Sequence, residues 1–166
     1  PQNPKTPIYL TRINNKFLWV VQIAKKAKVA SDTVPPFIFC DTLEKLINAK
    51  QVRVIDCSVD LPKNGAKTAK EEYLACHIKG AHFLDLENFV DKSSPYPHMA
   101  PAPSQFKSHM TSLGIGLETP VVTYDTTDGK WAARGAFLLK YYGHSNVRIL
   151  DGGRASWMHH FRHDET

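Results

Sequence analysis

The sequence predicts an α/β fold built on a mainly parallel sheet, and two observations support this prediction. Short apolar strand patterns alternate with helical patterns along most of the 166 residues. In addition, residues 121–157 have the strand-loop-helix-strand order of a βαβ unit. Its strands are Val121 to Tyr124 and Val147 to Leu150, and its helix lies at about 131–142. The loop after the first strand begins at Asp125, where α/β proteins usually place a ligand or a nucleophile.

Length and composition indicate one globular domain with an extension. The chain is 42% hydrophobic, which is enough for one sizeable core at this length but not for two. Its longest apolar run, from Phe17 to Ala24, is much shorter than the ~20 residues of a membrane-spanning helix. Cys40, Cys57 and Cys76 are odd in number and lack CxxC spacing. They therefore predict neither a disulfide framework nor a zinc site, and they favour a reducing compartment.

The net charge of +5 is concentrated at the amino-terminal end. Residues 1–31 hold six Lys or Arg and no acid, which leaves fifteen basic and sixteen acidic residues beyond them. The body of the chain is therefore balanced in charge. It offers no basic patch of the kind that binds nucleic acid.

Residues 1–36 are predicted to be an extension that carries a basic amphipathic helix. From Asn15, a candidate N-cap, the pattern has a lysine-bearing face and an opposite apolar face formed by Phe17, Val20, Val21, Ala24 and Ala27. Such a segment is typical of mitochondrial import, and the first residue, Pro1, indicates a processed or partial chain. The alternatives are a helix that docks on a protein partner, one that lies on an anionic membrane surface, and one that folds back on its own domain.

The body begins at Phe37 and alternates strands with helices. A capping box at Asp41 to Glu44 predicts a helix over about 42–49, after a first strand at 37–39. Four elements are predicted next: a strand at 52–56, a surface loop at 62–70, a short helix at 71–76 and a strand at 81–84. An irregular Pro-rich loop is predicted at 91–103. It leads into a helix that begins at Pro103, carries Phe106, Met110 and Leu113, and ends at Gly114.

Five stretches resemble the amino-terminal domain of the two-domain rhodaneses, the thiosulfate and mercaptopyruvate sulfurtransferases. They are RVIDCSVDLP, EEYLACHIKGAHFLDL, SSPYPHMAPAPSQF, LGIGLETPVVTYD and VRILDGGRASW. The resemblance covers residues 37–160 and implies a rhodanese-like, three-layer domain with a mainly parallel five-stranded central sheet flanked by helices. The chain then divides into an extension (1–36), the domain (37–160) and a tail (161–166).

The resemblance also implies what the loop after the central strand does. In active domains of the family a Cys opens this loop, and backbone N–H groups hold its thiolate and the persulfide formed on it. Asp125 stands at that position here, as in the family's amino-terminal domains, whose partner domain carries the Cys. The amino-terminal half contributes a Pro-His-Met loop, here Pro97, His98 and Met99, and an Arg in the loop helix, here Arg134.

Side-chain chemistry gives these residues structural alternatives. His98 is expected to make a hydrogen bond that packs its loop rather than contact a substrate. Arg134 is expected to pair with Asp125 or Asp128 rather than bind an anion. The two aspartates are expected to cap the helix that follows them. Cys57 and Cys76 are expected to be packed or incidental thiols.

No cofactor or metal site is predicted. His159, His160 and His163 have spacings that suit a metal only in a helix, and a solvated chain end is the preferred prediction. Gly152 and Gly153 are predicted to form a turn, because both phosphate-binding glycine motifs are absent.

Two functions remain. The favoured one is a catalytically silent structural or interaction module, an accessory subunit of a mitochondrial protein assembly contacted through residues 1–36. In variants of this prediction, the module also makes peripheral contact with a membrane, or it lies in the cytoplasm instead of the mitochondrion. The alternative is the amino-terminal half of an active sulfurtransferase whose Cys-bearing domain is supplied elsewhere.

Overall fold

The structure, a computed structural model, describes residues 35–60 and 67–161. The predicted extension helix, most of the 62–70 loop and His163 lie outside these residues. The strands are β1 (Phe37–Ile38), β2 (Arg53–Asp56), β3 (Ala81–Phe83), β4 (Val121–Tyr124) and β5 (Val147–Leu150). The helices are α1 (Cys40–Asn48), α2 (Ala69–Ala75), α3 (Pro103–Ser112), α4 (Lys130–Tyr141) and α5 (Gly153–Phe161). Strands and helices alternate, which confirms the predicted α/β class.

The five strands form one parallel sheet in the order β1-β5-β4-β2-β3. β4 lies at its centre, and all four of its residues are buried. Val122 of β4 is in register with Val54 of β2 and with Arg148 of β5. Because the strands are parallel, their carboxyl ends share one edge of the sheet. The loops that follow β2, β4 and β5 therefore meet at that edge.

Helices cover both faces of the sheet, so the domain has three layers. On one face α3 and α4 pack on a cluster that includes Ile55, Phe106 and Leu139. On the other face α1 and α5 pack on a cluster that includes Leu43 and Trp157, and α2 joins it through its tyrosine, Tyr73. This is the three-layer arrangement expected from the resemblance.

Local signals mark some helix ends correctly and one wrongly. Pro103 opens α3, and Gly114 follows it with a φ of +66°, as predicted. The capping box predicted at Asp41 to Glu44 is wrong, because α1 begins at Cys40 directly after β1 and has no side-chain cap. Complete burial of Leu43, at 0% exposure, accounts for this start better than capping does. A true capping box opens α2, where Thr68 and Glu71 exchange hydrogen bonds.

The carboxyl-terminal end of the domain also differs from the prediction. The sequence predicts a solvated chain end at His159, His160 and His163 and no helix before it, but residues 153–161 form helix α5. Trp157 is only 4% exposed and its ring lies 4.6 Å from that of Phe161. Burial of this indole stabilises a helix that has almost no amphipathic signal of its own. His159 and His160 lie exposed on it, and the described residues contain no group of three potential metal ligands.

None of the helices within residues 35–60 and 67–161 is long and apolar enough to cross a membrane. The longest, α4, has 12 residues. A bilayer-spanning helix needs about 20.

His144 is a buried titratable group in the connection from α4 to β5. It is 3% exposed, its ring lies edge-on to Phe106 at 5.9 Å, and its Nδ1 has no hydrogen-bond partner among the described residues. Burial lowers the pKa of His144 below its ordinary value of 6.5, although the nearby Glu118 carboxylate opposes this. The folded domain therefore favours the neutral imidazole.

The stability of the domain should fall as pH falls below about 6.5, because the unfolded chain then binds a proton at His144 that the folded chain resists. Burial also lowers the pKa of His82 and His109, so they contribute in the same direction. His144→Phe keeps an aromatic ring and should reduce the loss of unfolding free energy between pH 7.5 and pH 5. Urea denaturation at both pH values measures this, with the exposed His159→Phe as the control. An unchanged pH dependence in His144→Phe would contradict the assignment.

Candidate functional site

The candidate site is the loop that leaves the carboxyl end of β4, residues 125–129. Asp125 opens this loop and is 1% exposed. The chain then turns into α4, whose N-cap, Gly129, has a φ of +86° in the left-handed region that glycine favours. The loop thus wraps around the side chain of its own first residue.

The carboxylate of Asp125 accepts four backbone N–H groups. Its Oδ1 accepts from Thr127 N at 2.9 Å and Gly129 N at 3.1 Å, and its Oδ2 accepts from Trp131 N and Ala132 N, both at 3.0 Å. Two of these donors belong to the loop and two to the first turn of α4, where N–H groups have no partner within the helix. The expectation that Asp125 caps this helix is confirmed. Asp128 contributes a weaker contact, from Lys130 N at 3.3 Å.

The loops after β2 and β5 hold the main chain around Asp125. Ser58 Oγ accepts from Thr126 N at 3.1 Å, and the carbonyl oxygen of Asp125 accepts from Arg154 N at 3.0 Å. Gly153 lies so close that a Cβ built on it would be 2.6 Å from that carbonyl oxygen. Only glycine fits there, at a φ of +56°. The Asp-Gly-Gly turn therefore serves close packing, a role that the sequence alone did not reveal.

A buried polar network lies beneath the loop at the ends of β2 and β4. Asp56 is 1% exposed, and its Oδ1 accepts from Ser58 N at 2.8 Å. Burial raises the pKa of Asp56, while hydrogen bonds from Ser58 and Tyr124 and the charge of Arg154 lower it. Burial also raises the pKa of Tyr124. The sequence predicts Asp56 and Tyr124 only as the last residues of two strands, and the polar Asp56 and Ser58 at the end of β2 are its only signal for the network.

The cysteines that the structure describes lie away from the loop surface. Cys57 is fully buried beneath α4, and a Cβ built on Gly135 would be 2.3 Å from its Sγ. Burial, with the carboxylates of Asp56 and Asp125 in support, raises the pKa of the Cys57 thiol well above its ordinary value. Cys40 is also buried, with its Sγ 3.5 Å from Ser156 Oγ, and Cys76 is half-buried at the end of α2. Cys57 is thus a packed thiol, as expected.

The Pro-rich loop at 91–102 has no regular structure, as predicted, and it contacts the start of α4. The His98 ring lies edge-on to Trp131 at 5.6 Å, and Arg134 donates a hydrogen bond to the carbonyl oxygen of His98. Arg134 also lies over the ring of Phe137 at 5.4 Å. The expected pairing of Arg134 with Asp125 or Asp128 is wrong. The Asp125 carboxylate is enclosed by backbone N–H groups, so the guanidinium contacts the Pro-rich loop instead.

The structure therefore brings three predicted residues to one end of the domain. Asp125 is buried inside its loop, Arg134 bridges α4 to the Pro-rich loop, and His98 is exposed there with a φ of +58°. Met99 is 46% exposed beside it. This end presents one imidazole and one guanidinium at the surface, with a buried carboxylate behind them. Imidazole and guanidinium groups are of the kind that contact anions. Loop 125–129 itself contains no thiol.

Comparison with characterised proteins shows sulfurtransferase relatives. Over 121 residues the chain is 35% identical to 3-mercaptopyruvate sulfurtransferase of Escherichia coli, which covers 73% of this chain and 43% of that protein. Over 109 residues it is 39% identical to thiosulfate sulfurtransferase of Bos taurus, which covers 64% of this chain and 36% of that protein. The chain thus spans less than half the length of these relatives.

Solved structures of sulfurtransferases also resemble this chain over part of their length. The crystal structure of SseA from Escherichia coli matches with a TM-score of 0.73 at 32% identity, covering 80% of this chain and 50% of that chain. The yeast mitochondrial complex I sub-stoichiometric sulfur transferase subunit matches with a TM-score of 0.64 at 32% identity, covering 70% of this chain and 38% of that chain. The family model of the rhodanese-like domain matches residues 40–160. The chain therefore belongs to the rhodanese-like domain family.

Proposed function

We propose that this chain is a catalytically silent rhodanese-like domain that serves as a structural and interaction module. It acts as an accessory subunit of a larger mitochondrial protein assembly, which it contacts through residues 1–36. The observation that carries the proposal is the hydrogen bonding of the Asp125 carboxylate. Its carboxylate accepts the four N–H groups of the loop and the helix start, the donors that a bound anion would otherwise use.

The chemistry of sulfur transfer supports this proposal. A persulfide forms on an accessible thiolate, and a carboxylate has no sulfur on which to form one. Cys57 lies close enough to the loop for the Asp125 carboxylate to raise its pKa, and it is also enclosed beneath α4, so both burial and charge disfavour its thiolate. The loop is thus a structural corner that joins β4 to α4.

The assembly part of the proposal rests on two further points. One structural relative at 32% identity is a subunit of yeast mitochondrial complex I. The amino-terminal extension of this chain carries six basic residues and no acid over residues 1–31, which favours both mitochondrial targeting and contact with an acidic surface.

A second candidate function has its own support. The curated relatives are more than twice as long as their matched region, so this chain corresponds to about one half of a sulfurtransferase. With the exposed loop at His98 and Met99, it would then form one wall of a substrate site. The Cys-bearing domain would come from elsewhere.

Asp125→Ala should lower the free energy of unfolding by about 3 kcal/mol, because it leaves several buried N–H groups without their charged acceptor. Asp125→Asn should cost less, since one side-chain oxygen remains to accept. Asp128→Ala is the matched control, because Asp128 is exposed and its change should cost about 0.5 kcal/mol or less. Denaturant titration gives all three values. Equal effects of Asp125→Ala and Asp128→Ala would refute the structural role of the Asp125 carboxylate.

The 166-residue chain should produce no thiocyanate above the reagent blank when it is incubated with thiosulfate or mercaptopyruvate and cyanide. Alkylation of its cysteines should change nothing. Activity that alkylation abolishes would defeat the proposal. The natural full-length product, in the same assay, separates the two candidates. Thiocyanate production by the full-length product, with none by the 166-residue chain, favours the second candidate, in which this chain is the amino-terminal half of an active sulfurtransferase.

Removal of residues 1–36 should abolish association with a native mitochondrial assembly. Native gel migration of the tagged chain and its truncated form in purified mitochondria measures this, with sedimentation of each pure protein to establish its own mass. Unchanged association after truncation, or a chain that remains monomeric in mitochondria, would overturn the docking role of the extension.

A further inference from the structure

A cavity of about 470 Å³ lies beside α3. It is bounded by this helix, by the segment 115–117 and by the connection from α4 to β5, and its described lining includes no residue of loop 125–129. Its apolar wall is formed by Pro103, Phe106, Met110, Ile115, Leu117 and Tyr142. A volume of this order with a mainly apolar wall is typical of a small-molecule site.

The turn at the end of α3 builds one side of this cavity. Gly114 has a φ of +66°, and Ile115 N donates back into the last turn of α3 at 2.9 Å. Ile115 is thereby buried, at 3% exposure, while Leu117 stays 42% exposed. On the opposite side the ring of Tyr142 stacks on that of Phe106, with centroids 4.1 Å apart. The cavity therefore has a buried floor and an open rim.

His144 adds a polar group to this apolar cavity. It lines the cavity and is 3% exposed, and its Nδ1 has no hydrogen-bond partner among the described residues. The hydroxyl of Tyr142, by contrast, already donates to the carbonyl oxygen of Pro101. A buried polar atom without a partner costs free energy. A ligand that supplies a partner to this imidazole should therefore bind more tightly than one that does not.

The charges around the cavity favour an uncharged ligand. Burial lowers the pKa of His144, so its imidazole is neutral at pH 7.5. Lys107 in the wall and the nearby Glu118 are of opposite charge and both are exposed, so neither provides a buried counterion. A neutral imidazole has one donor nitrogen and one acceptor nitrogen. A hydroxyl can donate or accept, so it pairs with either tautomer.

We propose that this cavity binds a small, uncharged aromatic molecule that carries one hydroxyl group. The aromatic ring packs against Phe106, Ile115 and Leu117, and the hydroxyl forms a hydrogen bond with the imidazole of His144. This binding does not rest on the proposed function, because the cavity is separate from the loop that Asp125 opens.

The test is equilibrium dialysis of the 166-residue chain at pH 7.5 against 2-naphthol, with naphthalene as the matched probe that lacks the hydroxyl. 2-Naphthol should bind saturably and at least ~5-fold more tightly than naphthalene, because one neutral hydrogen bond contributes about that factor to an affinity.

Two variants locate the binding. His144→Phe keeps an aromatic ring in the wall and removes the hydrogen-bond partner, so it should weaken 2-naphthol binding by ~5-fold and leave naphthalene binding unchanged. Thr111→Trp places an indole at the exposed rim and should weaken the binding of both probes by ~10-fold or more. Ser108→Trp is the control, because Ser108 is exposed on the same helix and does not line the cavity. Denaturant titration verifies that each variant is folded.

Three results would overturn the proposal. The first is the absence of saturable 2-naphthol binding to the wild-type chain. The second is equal affinity of the wild-type chain for 2-naphthol and naphthalene. The third is unchanged affinity for 2-naphthol in folded His144→Phe or folded Thr111→Trp, because the probe would then occupy another surface. Thiocyanate production and association with a mitochondrial assembly are measured without these probes, so either proposal can fail while the other stands.

Discussion

The contact between the Asp125 carboxylate and four backbone N–H groups organises the end of the domain where the loops meet. It closes the loop after β4 onto the first turn of α4, and α4 in turn covers β4 and β5. The contact suits both partners electrostatically. A helix N-terminus presents unpaired N–H donors and a partial positive charge. An ionised carboxylate supplies two acceptor oxygens and a full negative charge. With this acceptor provided by the chain itself, the loop needs no external anion to be stable.

Other features of this end follow from the enclosed loop. Gly153 allows the loop after β5 to approach the Asp125 carbonyl oxygen, and Ser58 ties the loop after β2 to Thr126. Beneath them Gly135 brings α4 down onto Cys57, which leaves that thiol enclosed and uncharged. Arg134, excluded from the occupied carboxylate, turns to the Pro-rich loop. The rhodanese-like fold thus surrounds a loop whose centre holds a carboxylate.

The two faces of the sheet differ in how completely they are covered. Three helices lie on one face and two on the other within the described residues, and the uncovered position is next to the point where the chain enters the domain. A basic amphipathic segment precedes that point in the sequence.

The sequence by itself determined the α/β class, the parallel sheet and most of the element order, because apolar strands, Pro103 and the glycines at helix ends act locally. It also identified Asp125 as the residue that opens the loop. It also predicted that this carboxylate caps the helix that follows, and the tertiary structure added which four N–H groups it accepts and how completely they enclose it. Only the tertiary structure decided that α5 forms, through burial of Trp157, where α1 begins, through burial of Leu43, and which acceptor Arg134 contacts. These outcomes depend on contacts between residues distant in sequence, which the periodicity and spacing of residue types do not reveal.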